Sequence, residues 1–265
     1  MPNSIGELSG KTILLHIDQG LGDTIQYVRY VPYLVRQGAR VVLESPRELA
    51  SLLAGLPGLS VLVQGEALPP FDCHFPLVSL PAALGNESAA EPPYLKAPGS
   101  KIARWRSEIR GNDLPHIGLV WAGNPVHKND RHRSIPLRLF LPLLETSGVQ
   151  FVALQKQLRE GDADTLPLIE RLTFLGDRLE DFTDTAAVVS LLDLVITVDT
   201  AVGHLAGALA KRVWVLLSSC PDWRWGLNGT HTPIYPSAQL FRQSKAGDWQ
   251  SVQAEVRTAL EQVIA

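Results

Sequence analysis

A short turn with two glycines, Gly20-Leu21-Gly22, stands directly before Asp23. Glycines in such a turn let the backbone bend tightly and approach a ligand closely. Asp23 lies at the start of a predicted helix, where it is either a capping residue or a general base that removes a proton from an incoming hydroxyl. A nicotinamide-binding fingerprint would need a third glycine where Ile25 stands, so a nicotinamide-dependent dehydrogenase is poorly supported.

A second polar segment, residues 121–136, is rich in basic side chains. Cations and free backbone N–H groups collected there could hold a diphosphate, and the alternative is a solvated charged loop. Gly123 would let the backbone of this segment approach a ligand. The basic residues and histidines of the segment are His127, Lys128, Arg131, His132 and Arg133. The histidines lack a further ligand pair, so we do not expect a zinc site.

A third segment, residues 198–207, joins an apolar run to a predicted helix. Asp199 ends the strand, and Thr200 is placed to cap the helix. The first backbone N–H groups of the helix would then be free to face an anionic group. These groups belong to Ala201, Val202 and Gly203. His204, one turn into the helix, is either a packed histidine or a hydrogen-bond partner of a phosphate or sugar hydroxyl.

Two weaker patterns have structural interpretations that compete with functional ones. Asp162 and Asp164 form an Asp-x-Asp pair of the kind that holds a metal under a nucleotide diphosphate, but helix capping is the favoured interpretation. Trp223 and Trp225 could form a stacking wall for a base, or a packed aromatic corner. The sequence therefore predicts no metal site.

The elements that must position these residues alternate between strand and helix patterns, which is typical of an α/β protein with parallel sheets. In the first half, strands are predicted at 12–18, 39–44, 59–63 and 71–77, and helices at 23–37 and 46–54. In the second half, strands are predicted at 116–121, 149–155, 173–175, 194–198 and 213–218, and helices at 136–145, 183–192, 200–210 and 252–264.

A proline-rich polar stretch at 86–99 separates the two halves, and a helix is predicted at 101–110. We therefore expect an N-terminal domain at 1–97, a linker and connecting helix at 98–113, and a C-terminal domain at 114–265. Open parallel sheets bind ligands at the carboxyl ends of their strands. The two halves are thus expected to face a common cleft.

Composition limits the kind of partner that the chain could have. Its 265 residues are 45% hydrophobic and carry a net charge of −3, which gives no bulk electrostatic reason to bind nucleic acid or an anionic membrane. No apolar run reaches the ~20 residues of a membrane-spanning helix. The two cysteines, Cys73 and Cys220, have no paired spacing. We expect a cytoplasmic protein without transmembrane segments; the oligomeric state is left open.

Three segments together resemble glycosyltransferase family 9, the family of the heptosyltransferases, in the domain type often found C-terminal to tetratricopeptide repeats. They are residues 14–30 (LLHIDQGLGDTIQYVRY), residues 118–125 (GLVWAGNP) with 131–136 (RHRSIP), and residues 198–207 (VDTAVGHLAG). The resemblance covers nearly the whole chain, with the segments in order. It implies the GT-B fold, in which two Rossmann-like domains face a central cleft.

The resemblance also implies roles for single residues. Asp23 matches the catalytic base, and Arg133 stands where heptosyltransferases have a lysine near the donor phosphates. Asp199, Thr200 and His204 match the donor-binding segment, and Asn124 and Lys156 are weaker candidates on the same side. Ala201 stands where heptosyltransferases usually have glycine, so an ADP-heptose donor does not follow.

The function expected from these features is metal-independent, inverting transfer of a sugar from a nucleoside-diphosphate sugar to an acceptor hydroxyl. The acceptor would be a glycan, a lipid-linked glycan or a protein, and no cofactor beyond the donor substrate is expected. The alternative is a non-catalytic module that binds a nucleotide or nucleotide sugar. Turnover would distinguish the two.

Overall fold

The first half of the chain forms a sheet of four parallel strands. We describe a computed structural model that covers residues 8–85, 88–109, 113–169 and 171–264. The strands are β1 (Thr12–His16), β2 (Arg40–Ser45), β3 (Leu59–Val63) and β4 (Cys73–Pro76), arranged in the order β3-β2-β1-β4. Ile13 lies beside Val41 on one side and Cys73 on the other, which fixes the register around the central strand β1.

The first of the four helices that the structure describes in this half begins directly after Gly20, in the glycine turn. They are α1 (Leu21–Tyr27), α2 (Val31–Arg36), α3 (Arg47–Leu53) and α4 (Leu80–Leu84). The predicted single helix at 23–37 is wrong in two respects: it begins at Leu21, and a 3-10 turn at Val28–Tyr30 divides it. Pro32 explains the division, because it has no N–H to donate to the carbonyl of Val28, four residues earlier.

The second half forms a sheet of six parallel strands. They are β5 (His116–Val120), β6 (Gln150–Ala153), β7 (Leu172–Phe174), β8 (Leu194–Val198), β9 (Val213–Leu217) and β10 (Ala238–Arg242), in the order β10-β9-β8-β5-β6-β7. Every residue of β5, β8 and β9 is buried, because these strands are covered on both faces. Strand β10 is absent from the sequence prediction; it lies at the sheet edge, where polar residues such as Gln239 interrupt the apolar pattern.

The described helices of this half and of the connection are α5 (Gly99–Ile109), α6 (Asp130–Arg133), α7 (Leu141–Leu144), α8 (Asp162–Thr165), α9 (Phe182–Leu191), α10 (Ala201–Ala208) and α11 (Trp249–Ile264). The predicted helix at 136–145 is instead a 3-10 turn followed by the short α7, since Pro142 removes a helical hydrogen bond. In the part of the chain that the structure describes, no helix is long and apolar enough to cross a membrane.

The connecting helix α5 packs on the second half. Trp105 Nε1 donates to Asp184 Oδ1 over 2.8 Å, and Lys101 Nζ donates to Asp184 Oδ2 over 2.9 Å. The predicted limits of the domains at 1–97, 98–113 and 114–265 remain predictions. The positions 1–7, 86, 87, 110–112, 170 and 265 lie outside the described residues, and with them the C-terminal residue of the helix predicted at 101–110.

The two halves are in direct contact through buried side chains. Arg29 donates from Nε to the carbonyl of Ala90 over 2.9 Å and from Nη1 to the carbonyl of Ile234 over 3.0 Å. Tyr94, which follows the first half, donates its hydroxyl to the carbonyl of Ile25 over 3.0 Å. One apolar core includes side chains of both halves. This packing holds the carboxyl ends of the two sheets across a cleft from each other.

Candidate active site

The cleft has a volume of about 590 Å³ and receives residues from both halves. A volume of this size is typical of small-ligand sites. The sequence-predicted residues that line it are Gly20, Gly22, Asp23, Gly123, Asn124, Arg133, Lys156, Asp199, Thr200, Ala201, Val202 and His204. Two predicted residues do not line it. Lys128 lies on the exposed part of its loop, and Gly203 is buried, where an added Cβ would meet Thr197 at 3.2 Å.

Asp23 is held in the cleft by two contacts, one from each half of the chain. Its Oδ2 accepts the N–H of Gly20, the residue that precedes α1, over 3.0 Å. Its Oδ1 is ion-paired with Arg224 Nη2. The carboxylate therefore caps α1, as one interpretation of the sequence predicts, and also faces the cleft, as the other requires.

Arg224 is a cleft residue that the sequence prediction missed. It lies in a 3-10 turn at Trp223–Trp225 after β9, and Asp222 Oδ1 accepts its Nη1 over 2.7 Å and its backbone N–H over 3.1 Å. Its guanidinium lies 5.8 Å from the ring centre of Tyr27. The signal for it in the sequence is the segment 221–226, in which an arginine stands between two tryptophans.

The two tryptophans of that segment have different surroundings. Trp225 is buried and stacks on His204, with ring centres 5.2 Å apart and an interplanar angle of 29°. Trp223 is 71% exposed, and the guanidinium of Arg224 lies 4.9 Å from its ring centre. The packed aromatic corner is therefore correct for Trp225, while Trp223 is exposed to solvent and is not among the residues that line the cleft.

Arg133 is positioned by the close approach of Gly123. An added Cβ at Gly123 would lie 2.7 Å from Arg133 Nη2, so glycine is what lets the guanidinium lie against the backbone. Asp130 Oδ1 is 3.6 Å from Arg133 Nε, and Asp130 Oδ2 accepts Arg159 Nη2 over 2.7 Å. These ion pairs order the cationic segment, which is therefore not a freely solvated loop.

Two guanidinium N–H groups in the cleft lining are buried without a hydrogen-bond partner. They are Nε of Arg133 and Nε of Arg224. Buried donors in proteins are nearly always bonded, so an unbonded pair beside a cavity favours an anionic or carbonyl-bearing ligand. The cleft is therefore suited to a ligand with oxygen acceptors.

The start of α10 departs from the predicted geometry. Thr200 occupies the position before the helix, as predicted, but its hydroxyl pairs with Thr197 Oγ1 at 2.9 Å instead of bonding a helix N–H. The N–H of Gly203 donates to the Thr200 carbonyl over 3.0 Å, so it is not free for an anion, contrary to the prediction. Ala201 and Val202 lie at the cleft.

Burial shifts the pKa values of Asp199 and His204 in opposite directions, and in both cases it favours the neutral form. Burial raises the pKa of Asp199 above its ordinary value, against the opposing effects of Trp225 and Arg133. Burial, with a smaller effect of Arg224, lowers the pKa of His204 to about 4. His204 is therefore neutral near pH 7, and its Nδ1 lies 3.1 Å from the hydroxyl of Tyr235. The histidine is both packed and part of the cleft lining.

Two further predicted residues line the cleft with their polar groups engaged. Lys156 Nζ donates to the carbonyl of Glu180 over 3.1 Å, and Asn124 Oδ1 accepts the N–H of Val126 over 3.1 Å. Both side chains belong to exposed residues, which leaves them free to rearrange around a ligand.

Metal-binding residue types are not clustered within the described ranges: no group of three or more His, Cys, Asp or Glu side chains is placed to hold an ion. Asp162 Oδ2 accepts the indole N–H of Trp121 over 2.8 Å and the backbone N–H of Arg159 over 2.7 Å. This aspartate is a structural residue of the interior, although Gly161, not Asp162, is the N-terminal capping position of its helix.

Comparison with known proteins gives one curated relative and several solved structures. Protein FlbA of Caulobacter vibrioides is 25% identical over 98% of the chain, which spans about half (48%) of the length of FlbA. A family 9 glycosyltransferase from Veillonella parvula superposes with a TM-score of 0.70 at 13% identity, covering 99% of both chains. No family model matches the sequence.

A heptosyltransferase gives a similar result. The ADP-heptose LPS heptosyltransferase II of E. coli superposes with a TM-score of 0.63 at 13% identity, covering 95% of this chain and 99% of the other. The architecture is accordingly GT-B, with two parallel-sheet halves around a cleft. Within that class, the chain has the fold of the family 9 glycosyltransferases, the heptosyltransferase type.

Proposed function

We propose that the chain is a glycosyltransferase that moves a sugar from a nucleoside-diphosphate sugar to an acceptor hydroxyl, without a metal and with inversion. One observation carries the proposal. A carboxylate from the first half, Asp23, and a cation from the second half, Arg133, line the same cleft of a family 9 fold. The proposed reaction needs a base and a leaving-group stabiliser, and these two residues supply such groups from the two halves of the chain.

The reaction follows from the two groups. The acceptor hydroxyl gives its proton to the Asp23 carboxylate while its oxygen forms a bond to the anomeric carbon. The bond from that carbon to the diphosphate oxygen breaks on the opposite face, and the nucleoside diphosphate leaves with the electron pair. A single in-line displacement inverts the anomeric centre. Arg133 and the start of α10 would stabilise the leaving charge, a role typically worth about 3–4 kcal/mol of barrier per donor.

A nucleoside diphosphate is the donor moiety that the cleft supports. Arg133 Nε is a buried donor without a hydrogen-bond partner, and a phosphate oxygen would supply the missing acceptor. One structural neighbour is named for ADP-heptose. The sugar is left unassigned, and the acceptor is a glycan, a lipid-linked glycan or a protein in the cytoplasm. The donor is a substrate, and no further cofactor is proposed.

A second candidate function is a non-catalytic module that binds a nucleotide sugar. The contacts of Asp23 favour it, because one carboxylate oxygen accepts the Gly20 N–H and the other is ion-paired with Arg224. A carboxylate with both oxygens engaged can be purely structural. The ligand would be the same in both cases, so the two functions differ only in turnover.

The first experiment measures thermal stability against ADP, UDP, GDP and their common sugar conjugates. A ligand at about 100 times its dissociation constant adds roughly 2.7 kcal/mol to the folded state. We expect stabilisation by one nucleotide series, reduced in Arg133→Ala and unchanged in Arg131→Ala, which removes an exposed cation of the same segment outside the cleft lining.

The second experiment follows release of nucleoside diphosphate from the stabilising nucleotide sugar. We expect turnover by the wild-type chain and none by Asp23→Asn, with nucleotide binding retained. Binding without turnover in the wild-type chain would favour the non-catalytic module. Full turnover by Asp23→Asn would remove Asp23 from the mechanism.

A further inference from the structure

We propose that Arg224 is a positioning residue that holds the Asp23 carboxylate in the orientation needed to accept the acceptor's proton. The inference rests on the proposed transfer reaction. Arg224 belongs to the second half of the chain and Asp23 to the first, and the two residues are 201 positions apart in the sequence. A residue of the second half would thus orient the base supplied by the first half.

The guanidinium of Arg224 is itself fixed. Nη1 donates to Asp222 Oδ1 over 2.7 Å, while Nη2 is paired with Asp23 Oδ1. Aromatic rings lie beside it, those of Tyr27 and Trp223, with their centres 5.8 Å and 4.9 Å from Cζ. A planar group held by two carboxylates and two rings has one orientation available, so it can impose one on its partner.

The pair is well shielded from water. The Arg224 side chain is 11% exposed and the Asp23 side chain 19% exposed. At such exposure the two charges interact far more strongly than a surface pair would. Loss of the cation would leave a partly buried carboxylate held only by the Gly20 N–H at Oδ2, so the position of Oδ1 would no longer be fixed. We therefore expect loss of Arg224 to disturb the reacting geometry of Asp23 in addition to lowering the stability of the fold.

The two anchors leave a defined part of the carboxylate for the acceptor. Gly20 N–H holds Oδ2 over 3.0 Å, and Arg224 holds Oδ1, so the plane of the carboxylate is set. Each oxygen of an ionised carboxylate has a second lone pair. The acceptor hydroxyl would bond to one of these, at the side that faces the cleft. A misplacement of about 1 Å at such a contact can cost about 100-fold in rate.

The experiment compares turnover and nucleotide binding in Arg224→Ala, Arg224→Lys and a matched control. Turnover is measured on whichever of ADP-glucose, UDP-glucose, GDP-mannose and ADP-heptose the wild-type chain uses fastest, and binding with the corresponding nucleoside diphosphate. The control is Arg178→Gln, which breaks a more exposed ion pair with Glu108, and neither residue of that pair is among those that line the cleft. If Arg224→Ala does not fold, Arg224→Lys keeps a cation without the planar fork and serves alone.

We expect kcat to fall by about 100-fold in Arg224→Ala and about 10-fold in Arg224→Lys, with the dissociation constant of the nucleotide changed by less than about threefold. Guanidinium ion added at non-denaturing concentration should restore part of kcat in Arg224→Ala. A residue that only stabilises the fold would show no such rescue. Adding Arg224→Ala to Asp23→Asn should leave the residual rate unchanged, because the positioned group is already absent.

Three outcomes would overturn the inference. They are a kcat for Arg224→Ala within threefold of the wild type, an equal loss of nucleotide binding and turnover, and a further loss of rate in the double variant. Failure of the proposed function has a separate signature, which is nucleotide binding by the wild-type chain without turnover of any of the four donors. That result would withdraw the inference together with the reaction.

Discussion

Buried His204 should make the fold sensitive to acid. Its pKa is lowered to about 4 by burial, while an exposed histidine titrates near 6.5. Between these values the unfolded chain binds a proton that the folded chain does not. The contribution to stability is therefore complete above pH 6.5 and is lost as the pH falls towards 4.

The size of the effect follows from the two pKa values. Each tenfold difference in proton affinity is worth about 1.4 kcal/mol, so the complete loss below pH 4 is about 3 kcal/mol. At pH 5 the loss relative to pH 7.5 is about 2 kcal/mol by the same relation. The charged groups that face the ring are Arg224, Asp23, Asp222 and Arg133. These four groups are present in both the wild type and a variant at position 204. The difference in pH dependence between the two proteins therefore reports on the imidazole of His204.

The assay is urea unfolding at several pH values, with wild type and His204→Gln compared. The variant removes the titrating group, so the free energy of unfolding should fall by about 2 kcal/mol less between pH 7.5 and pH 5 than it does in the wild type. The variant is expected to be less stable at pH 7.5, because it loses the stacking on Trp225. Parallel stability curves for the two proteins across this pH range would refute the reasoning.

Two further predictions concern single positions. Gly123→Ala should weaken binding of the stabilising nucleoside diphosphate by about 10-fold, since the new methyl group displaces the Arg133 guanidinium from a 2.7 Å approach; titration calorimetry would measure it, and unchanged affinity would contradict the placement of Arg133. Asp184→Ala should lower the free energy of unfolding by about 3 kcal/mol, because it leaves the buried indole N–H of Trp105 without an acceptor and removes the ion-pair partner of the partly exposed Lys101. Urea unfolding, with Arg178→Gln changing stability by less than about 1 kcal/mol as control, would test it.

The sequence predicted the alternation of strands and helices well because buried parallel strands are continuous apolar runs. β8 at Leu194–Val198 and β3 at Leu59–Val63 have the predicted limits. Two predicted helices were divided by single residues, Pro32 and Pro142. Strand β10 was missed for a different reason, because it is stabilised by pairing with β9 and its own sequence pattern is weak.

The candidate site was predictable where a motif follows a strand, as for Asp23, Asp199 and Arg133. Arg224 could not be found in this way, because its partners Asp23 and Tyr27 lie about two hundred positions away in the sequence. The free N–H predicted at Gly203 was wrong for a similar reason, because a contact outside the local pattern changes the start of the helix. Local capping rules suggested it, but the hydroxyl of Thr200 pairs with Thr197 and the helix starts with a tighter turn.

The buried contacts that join the halves bear on the thermodynamics of ligand binding. Arg29, Tyr94 and Tyr235 tie the segment between the halves to both of them, and the apolar core is shared. A cleft of this kind exists before the ligand arrives, so association need not order a hinge or bury much new apolar surface. The heat-capacity change of nucleotide binding should consequently be small, and the binding enthalpy should come mainly from charged hydrogen bonds to the Arg133 guanidinium.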